Sequence, residues 1–209
     1  MVRNGTGWTR WAAGALAAGA ILLTPLDMVE ASQRQASLTE MSATSAPIGW
    51  VQFCRDNPAD CAARPQRTEA VTLNRASWAQ LVQINTHVNA IIEPMTDMEQ
   101  YGVEERWSYP VSGRGDCEDY VLLKKQLLIR AGLPAGALLV TVVRDRKGDG
   151  HAILTVRTDR GDYVLDNEND EIRLWHATGY RFVKRQTAQD PNRWVTIGPA
   201  SDPAAVASR

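Results

Sequence analysis

Cys117 stands in Gly115-Asp116-Cys117-Glu118-Asp119-Tyr120, where a loop bearing glycine runs into an apolar stretch of helical period. A thiol in the first turn of a helix meets the positive end of the backbone dipole and unpaired amide N–H groups. Both favour the thiolate, the form that attacks carbonyl carbon. Cys117 is also the odd cysteine of three, the one left over if the other two pair. The plain alternative is a small buried apolar residue that happens to follow a loop.

A cysteine nucleophile needs a base to take its proton and a third group to hold that base in one tautomer. The chain has three histidines. His151 opens the apolar run His151-Ala-Ile-Leu-Thr-Val156 just after Gly148-Asp-Gly150, so its ring sits at a strand end that a helix N-terminus can approach. Asp166 closes the next short run, Tyr163-Val-Leu-Asp166. A hairpin with Asp159 and Arg160 at its tip places Asp166 opposite Ile153, which is two residues from His151 and on the same face. A bulge would break that parity, and a carboxylate after an apolar strand can equally be a turn residue. His87, on a helix face, and His176, in a loop, have no second catalytic group beside them in this layout.

The acidic company of Cys117 opposes its ionisation. Asp116, Glu118 and Asp119 suit a helix N-terminus, yet their charges raise the energy of a neighbouring thiolate. A hard cation held by those carboxylates relieves the conflict, and oxygen ligands select calcium or magnesium over zinc. Solvated helix capping is the alternative. The run Asp166-Asn-Glu-Asn-Asp-Glu171 is not an EF-hand loop, since Glu171 occupies the position that needs glycine.

The elements that position these groups follow from periodicity. Apolar residues recur at helical spacing over 74–92 and are stopped by Pro94; a second helix is expected over 117–130, with Gly132 and Pro134 after it. Strands are expected at 138–143, 152–156, 163–165, 180–184 and 194–197. Helices first and an antiparallel meander afterwards give an α+β fold, with the helices packed on one face of an antiparallel sheet.

Arg3 and Arg10, an apolar stretch over 11–23 and a small-residue site ending at Ala31 make the three-part pattern of an export signal, with an uncleaved N-terminal anchor as the alternative. The domains expected are therefore a signal peptide at 1–31, a flexible lead-in at 32–49, a catalytic domain at 50–198 and a disordered tail at 199–209. Export places the protein in the periplasm or outside the cell, without stable membrane insertion after cleavage, and lets a disulfide persist. Cys54 and Cys61 flank the turn-rich spacer Arg-Asp-Asn-Pro-Ala-Asp and are expected to form a local bridge; a zinc site lacks a histidine pair nearby. With 209 residues, 44% of them hydrophobic, and a net charge of -1, the chain has one sizeable core and no electrostatic case for a nucleic-acid partner.

The ordered pieces Arg114-Gly-Asp-Cys-Glu-Asp-Tyr120, Gly150-His-Ala-Ile-Leu154, Val164-Leu-Asp-Asn167 and Thr178-Gly-Tyr-Arg-Phe-Val183 resemble the bacterial transglutaminase-like cysteine proteinases over residues 50–198. The resemblance implies a papain-like, transglutaminase-type core with Cys117 as nucleophile, His151 as base and Asp166 as orienting carboxylate. The best-known branch of that family is a periplasmic, calcium-dependent protease of large surface adhesins. Its dependence on calcium is tied to the acidic residues that correspond here to Asp116 and Glu118. Around the histidine this chain departs from that branch, reading Gly150-His-Ala-Ile153 in place of Ala-His-Met-Val. The implication for peptide-bond chemistry is unaffected by that change; the implication of a surface adhesin as protein substrate is weakened.

The reading is thus an exported cysteine protease with no organic cofactor and calcium as the implied ion. Its oxyanion hole would include the Cys117 backbone N–H, with the Trp107 indole N–H as a side-chain candidate. A transglutaminase or amidase that passes the same thioester to an amine is the enzymatic rival. A non-catalytic periplasmic binding module is the rival of another class.

Overall fold

The computed structural model describes residues 37–62 and 67–198, with Met1. The export signal expected over 1–31, the cleavage near Ala31 and the tail after residue 198 fall outside the described residues. Among the described residues no helix is long and apolar enough to cross a membrane.

Seven strands form one antiparallel sheet in the order β1-β9-β8-β4-β5-β6-β7: β1 Glu40–Thr44, β4 Leu138–Arg144, β5 Gly150–Thr158, β6 Gly161–Leu165, β7 Arg173–Leu174, β8 Arg181–Gln186 and β9 Trp194–Ile197. A separate parallel pair joins β2 Glu93–Pro94 to β3 Arg114–Gly115. The helices are α1 Ile48–Asp56, α2 Pro58–Cys61, α3 Arg75–Ile91, α4 Asp97–Tyr101 and α5 Cys117–Arg130.

Strand alternation divides the core. Ala152, Leu154 and Val156 of β5 pack with Val121 and Leu128 of α5 and Leu81 of α3, whereas Ile153 faces a second cluster with Val143, Val164 and Phe182. Period-two patterning thus puts helices on one face, as an α+β layer architecture requires. Two expectations need correction. Residues 40–44 are not part of a flexible lead-in: they form β1, paired with β9 through Ala43 opposite Val195 and Thr44 opposite Trp194. The late strands do not extend the meander either, because β8 returns to pair with β4 and places β9 and β1 beyond it.

The 117–130 helix has the bounds expected from periodicity. The long helix begins one residue inside its expected start because Asn74 is its cap, accepting from the N–H groups of Ala76 and Ser77 in a capping box. Cys54 and Cys61 form the local disulfide, Cα atoms 5.5 Å apart, and Cys117 is free. The bridge ties α1 to α2, and the Cys61 carbonyl accepts from Asn192 before β9. Because it closes so short a loop, its reduction is expected to cost about 2–3 kcal/mol of stability. Thermal melts with and without reductant read this directly; a loss of cleavage activity in a still-folded reduced protein would show that the bridge does more than brace the helices.

Candidate active site

The chain reaches Cys117 through a constrained turn. Glu93 N donates to Gly113 O at 2.9 Å and Met95 N to Gly115 O at 3.0 Å, so the segment after α3 pins the loop that enters α5. A Cβ on Gly115 would lie 2.5 Å from Asp119 Oδ2, so only glycine lets the carboxylate of Asp119 tuck under the turn. Asp119 Oδ1 accepts from Ser108 N at 2.8 Å and holds the preceding loop in place.

At the other side of the site, β5 runs on beyond its partner. β4 pairs with β5 from Gly150 onward, but β6 pairs with it only from Leu154 to Thr158. The free edge at Ala152 is met by the nucleophile candidate, with Ala152 N donating to Cys117 Sγ at 3.4 Å. The hairpin register puts Leu154 opposite Leu165 and Thr158 opposite Gly161, which carries Asp166 to the position diagonal to His151. His151 Nε2 and Asp166 Oδ1 are 2.9 Å apart, with both side chains buried.

Asp166 is held on all sides. Its Oδ2 accepts from Tyr180 OH at 2.7 Å, its Oδ1 from Glu168 N at 3.1 Å, and its backbone carbonyl from Asn89 Nδ2 at 2.9 Å. Burial pushes this carboxyl upward, but the bonds from His151, Tyr180 and Glu168 outweigh it and hold the group below its ordinary value. Tyr180, whose ring stands edge-on to His151, was not singled out from the sequence. Its signal would have been a phenol placed two residues after the Thr178 turn, which spacing alone does not distinguish from a core tyrosine.

A cleft of about 250 Å³ brings together Trp107, Asp116, Cys117, Glu118 and His151. His87 and His176 lie outside it, both exposed. Trp107 packs against Trp50, and its indole N–H donates to Glu105 Oε1 at 2.6 Å. That donor is committed to a carboxylate, and Trp107 is a buried core tryptophan, the alternative to its candidacy as an oxyanion donor. The Cys117 backbone N–H, at the first position of α5, has no intrahelical acceptor by construction.

The acidic residues are not solvated caps. Asp116 makes no side-chain cap bond to α5; its Oδ2 accepts from Asp97 N at 3.3 Å, and its buried Oδ1 has no partner among the described residues. Glu118 is buried and accepts from Cys117 Sγ at 3.1 Å. Asp97, Asp116 and Glu118 each offer an oxygen within 4.8 Å of the others. Asp97 was missed because Thr96-Asp-Met-Glu99 reads as a capping box, which it also is; its approach to Asp116 depends on the β2–β3 pairing, which spacing does not encode. Three crowded oxygen donors with an orphaned buried atom fit a hard cation.

Burial, reinforced by the Glu118 and Asp116 charges, pushes the Cys117 thiol well above its ordinary value. Burial and Asp116 likewise raise Glu118 strongly and Asp97 to about 6, while Asp119 rises to about 8, chiefly through burial. Folded protein free of metal therefore binds more protons than unfolded chain, whose carboxylates titrate near 4. Its stability should fall as pH rises from 5 to 7. The depressed Asp166 acts only below this window, and Lys124, brought down to about 7 by burial, begins to act in the opposite sense above it. In chelator, melting should occur several degrees lower at pH 7 than at pH 5. An equal or higher melting temperature at pH 7 contradicts this account of the acidic cluster.

Residues 40–202 match the sequence model of the bacterial transglutaminase-like cysteine proteinases. No curated protein matches the chain. Among solved structures, calcium-bound Legionella pneumophila LapG is similar with a TM-score of 0.50 and 24% identity, over 60% of this chain and 73% of that one. The EGTA-treated form of the same protein gives 0.49 and 21%, over 63% and 74%. At this identity the likeness concerns the fold: mixed helices on a large antiparallel sheet.

Proposed function

This chain belongs to the bacterial transglutaminase-like cysteine proteinase family and is a cysteine peptidase of that type, and from that premise we propose that it cleaves peptide bonds of a protein substrate through Cys117, His151 and Asp166. The observation that carries the assignment is the buried His151 Nε2 to Asp166 Oδ1 contact of 2.9 Å at the strand end where Ala152 N meets Cys117 Sγ. With Nε2 engaged by Asp166, Nδ1 is the nitrogen left to take the thiol proton.

The steps follow from these groups. His151 accepts the Cys117 proton, and the thiolate adds to the peptide carbonyl carbon. The developing oxyanion lies at the α5 start, within reach of the Cys117 N–H. Protonated His151 then gives its proton to the departing amine, leaving a thioester on Cys117. In the second half His151 takes a proton from water, hydroxide oxygen adds to the thioester carbonyl, and the acid product leaves as the thiol is restored.

We propose that calcium supports this site, held by Asp97, Asp116 and Glu118, where its positive charge offsets the carboxylates around the thiol. The carboxylate geometry supports the reading, and a LapG of the same fold is known in a calcium-bound form. Export to the periplasm or beyond follows from the N-terminal pattern and agrees with the disulfide. A surface or periplasmic protein is the substrate this location favours.

Incubating the purified protein with the exported proteins of its own host, and mapping new termini, tests the function. New termini that vanish in the Cys117→Ala protein support it. Incorporation of a labelled amine into a glutamine-containing protein, without chain cleavage, would replace proteolysis by acyl transfer.

A further inference from the structure

The contact between His151 and Asp166 lies between two cavities. His151 lines the cleft that holds Cys117; Asp166 and Tyr180 instead line a second cavity of about 250 Å³, together with Arg146, Lys147, Glu168 and Arg173. The carboxylate therefore has the imidazole in front of it and a polar, charged space behind. A carboxylate turns easily about its Cβ–Cγ bond, so cations and water on the rear side compete with His151 for its oxygens. Something must keep it facing forward.

The Tyr180 hydroxyl stands at that point. It donates to Asp166 Oδ2 at 2.7 Å, while Oδ1 takes His151 Nε2 at 2.9 Å and Glu168 N at 3.1 Å. With each oxygen given its own donors, the plane of the carboxylate is fixed. The Tyr180 ring meets His151 edge-on, centroids 5.7 Å apart, so one side chain borders both members of the pair. Its backbone is tied to the hairpin that carries the base. Thr178 Oγ1 accepts from Tyr180 N at 3.2 Å, and Thr178 O accepts from Arg146 Nε and Nη2 at 3.2 and 2.9 Å. Arg146 lies in the turn between β4 and β5, the strand on which His151 stands. A core tyrosine would account for the ring, which packs beside the cluster of Val143, Ile153 and Phe182. Packing does not account for a hydroxyl aimed at Oδ2.

We propose that Tyr180 is a positioning residue for the triad, its hydroxyl closing the rear cavity against Asp166 and holding Oδ1 toward the His151 ring as positive charge develops there. The proposal rests on the Cys117, His151 and Asp166 assignment. Tyr180 acts through Asp166 and touches no reacting atom.

The test uses the full protein with isotopically labelled histidine, in buffer containing calcium. His87 and His176 are exposed, so the slowly exchanging downfield imidazole proton is that of His151 Nε2. In Tyr180→Phe, which keeps the ring, this resonance should shift upfield and exchange with water about tenfold faster or more, as the loss of one hydrogen bond to a charged group implies. The rate at which new termini appear in the host's exported proteins should fall about 10–100-fold. A tyrosine with a packing role alone would lower the melting temperature on substitution and move neither readout. Arg146→Met leaves every partner of Asp166 in place and loosens only the turn before Tyr180. It should move both readouts in the same directions, and it carries the test if the phenylalanine variant does not fold. An unmoved resonance or an unchanged rate in folded Tyr180→Phe, or failing that in Arg146→Met, overturns the proposal. Asp166→Ala separates the two levels of inference. Cleavage there at the unaltered rate would overturn the triad itself, whereas its loss there beside an unchanged rate in Tyr180→Phe would overturn only the role of the hydroxyl.

Discussion

Replacing Cys117 by alanine is expected to leave the fold intact and reduce peptide cleavage to background, and His151→Ala should do the same. The thiol is half-buried against the edge of β5, where loss of the sulfur removes its 3.4 Å contact with Ala152 N, its 3.1 Å bond to Glu118 Oε2 and little packing. Stability should hardly change, while the rate should fall by about 10⁴-fold or more, because nucleophile and base act as one unit and neither does its part alone. Asp166→Asn should behave differently. An asparagine can still meet His151, Tyr180 and Glu168 at their present positions, but it cannot stabilise a protonated imidazole as a carboxylate does. A residual rate above that of the alanine variants is therefore expected, with thermal melting confirming that each protein is folded. Cleavage at the original rate by Cys117→Ala would remove the mechanism altogether.

The parts of this site that could be read from the sequence are those set by local rules. The α5 bounds follow from its apolar period and from Gly132 and Pro134 after it. The diagonal approach of Asp166 to His151 follows from a two-residue turn at Asp159 and Arg160, because strand parity then fixes every later pair. What could not be read depends on contacts distant in sequence. Residues 40–44 are mostly exposed and short of apolar residues, so β1 forms through its pairing with β9 and through Arg185, which binds Glu40 from β8. Asp97 comes to Asp116 because β2 and β3 pair, an event between residues twenty-one apart that leaves no periodic trace. Chain position alone makes the Trp107 indole a candidate oxyanion donor; a carboxylate two residues earlier in the chain takes that N–H instead.

Chelation is expected to lower activity at least tenfold, and calcium to restore it. The motive is a conflict inside the metal-free site: the thiol that must ionise donates to Glu118 at 3.1 Å, and Glu118 shares its burial with Asp116. Negative charge so close holds the proton on sulfur, where His151 cannot profit from it. Asp97, Asp116 and Glu118 would hold a divalent ion, whose charge would offset theirs and favour the thiolate. Magnesium should restore less, since it requires a tight octahedral shell and sheds water reluctantly. Variants of Asp116 and Glu118 are ambiguous taken alone: alanine there weakens metal binding and also removes a charge that opposes ionisation. Asp97→Ala is the cleaner test, because Asp97 belongs to the oxygen cluster while the charges that act on the thiol come from Glu118 and Asp116. It should weaken calcium binding by roughly 10–100-fold in a calorimetric titration. Activity should fall at limiting calcium and recover at high calcium. If exhaustive chelation leaves the cleavage rate unchanged and calcium gives no titration heat with the unaltered protein, the buried carboxylates serve the fold alone and calcium has no part in the chemistry.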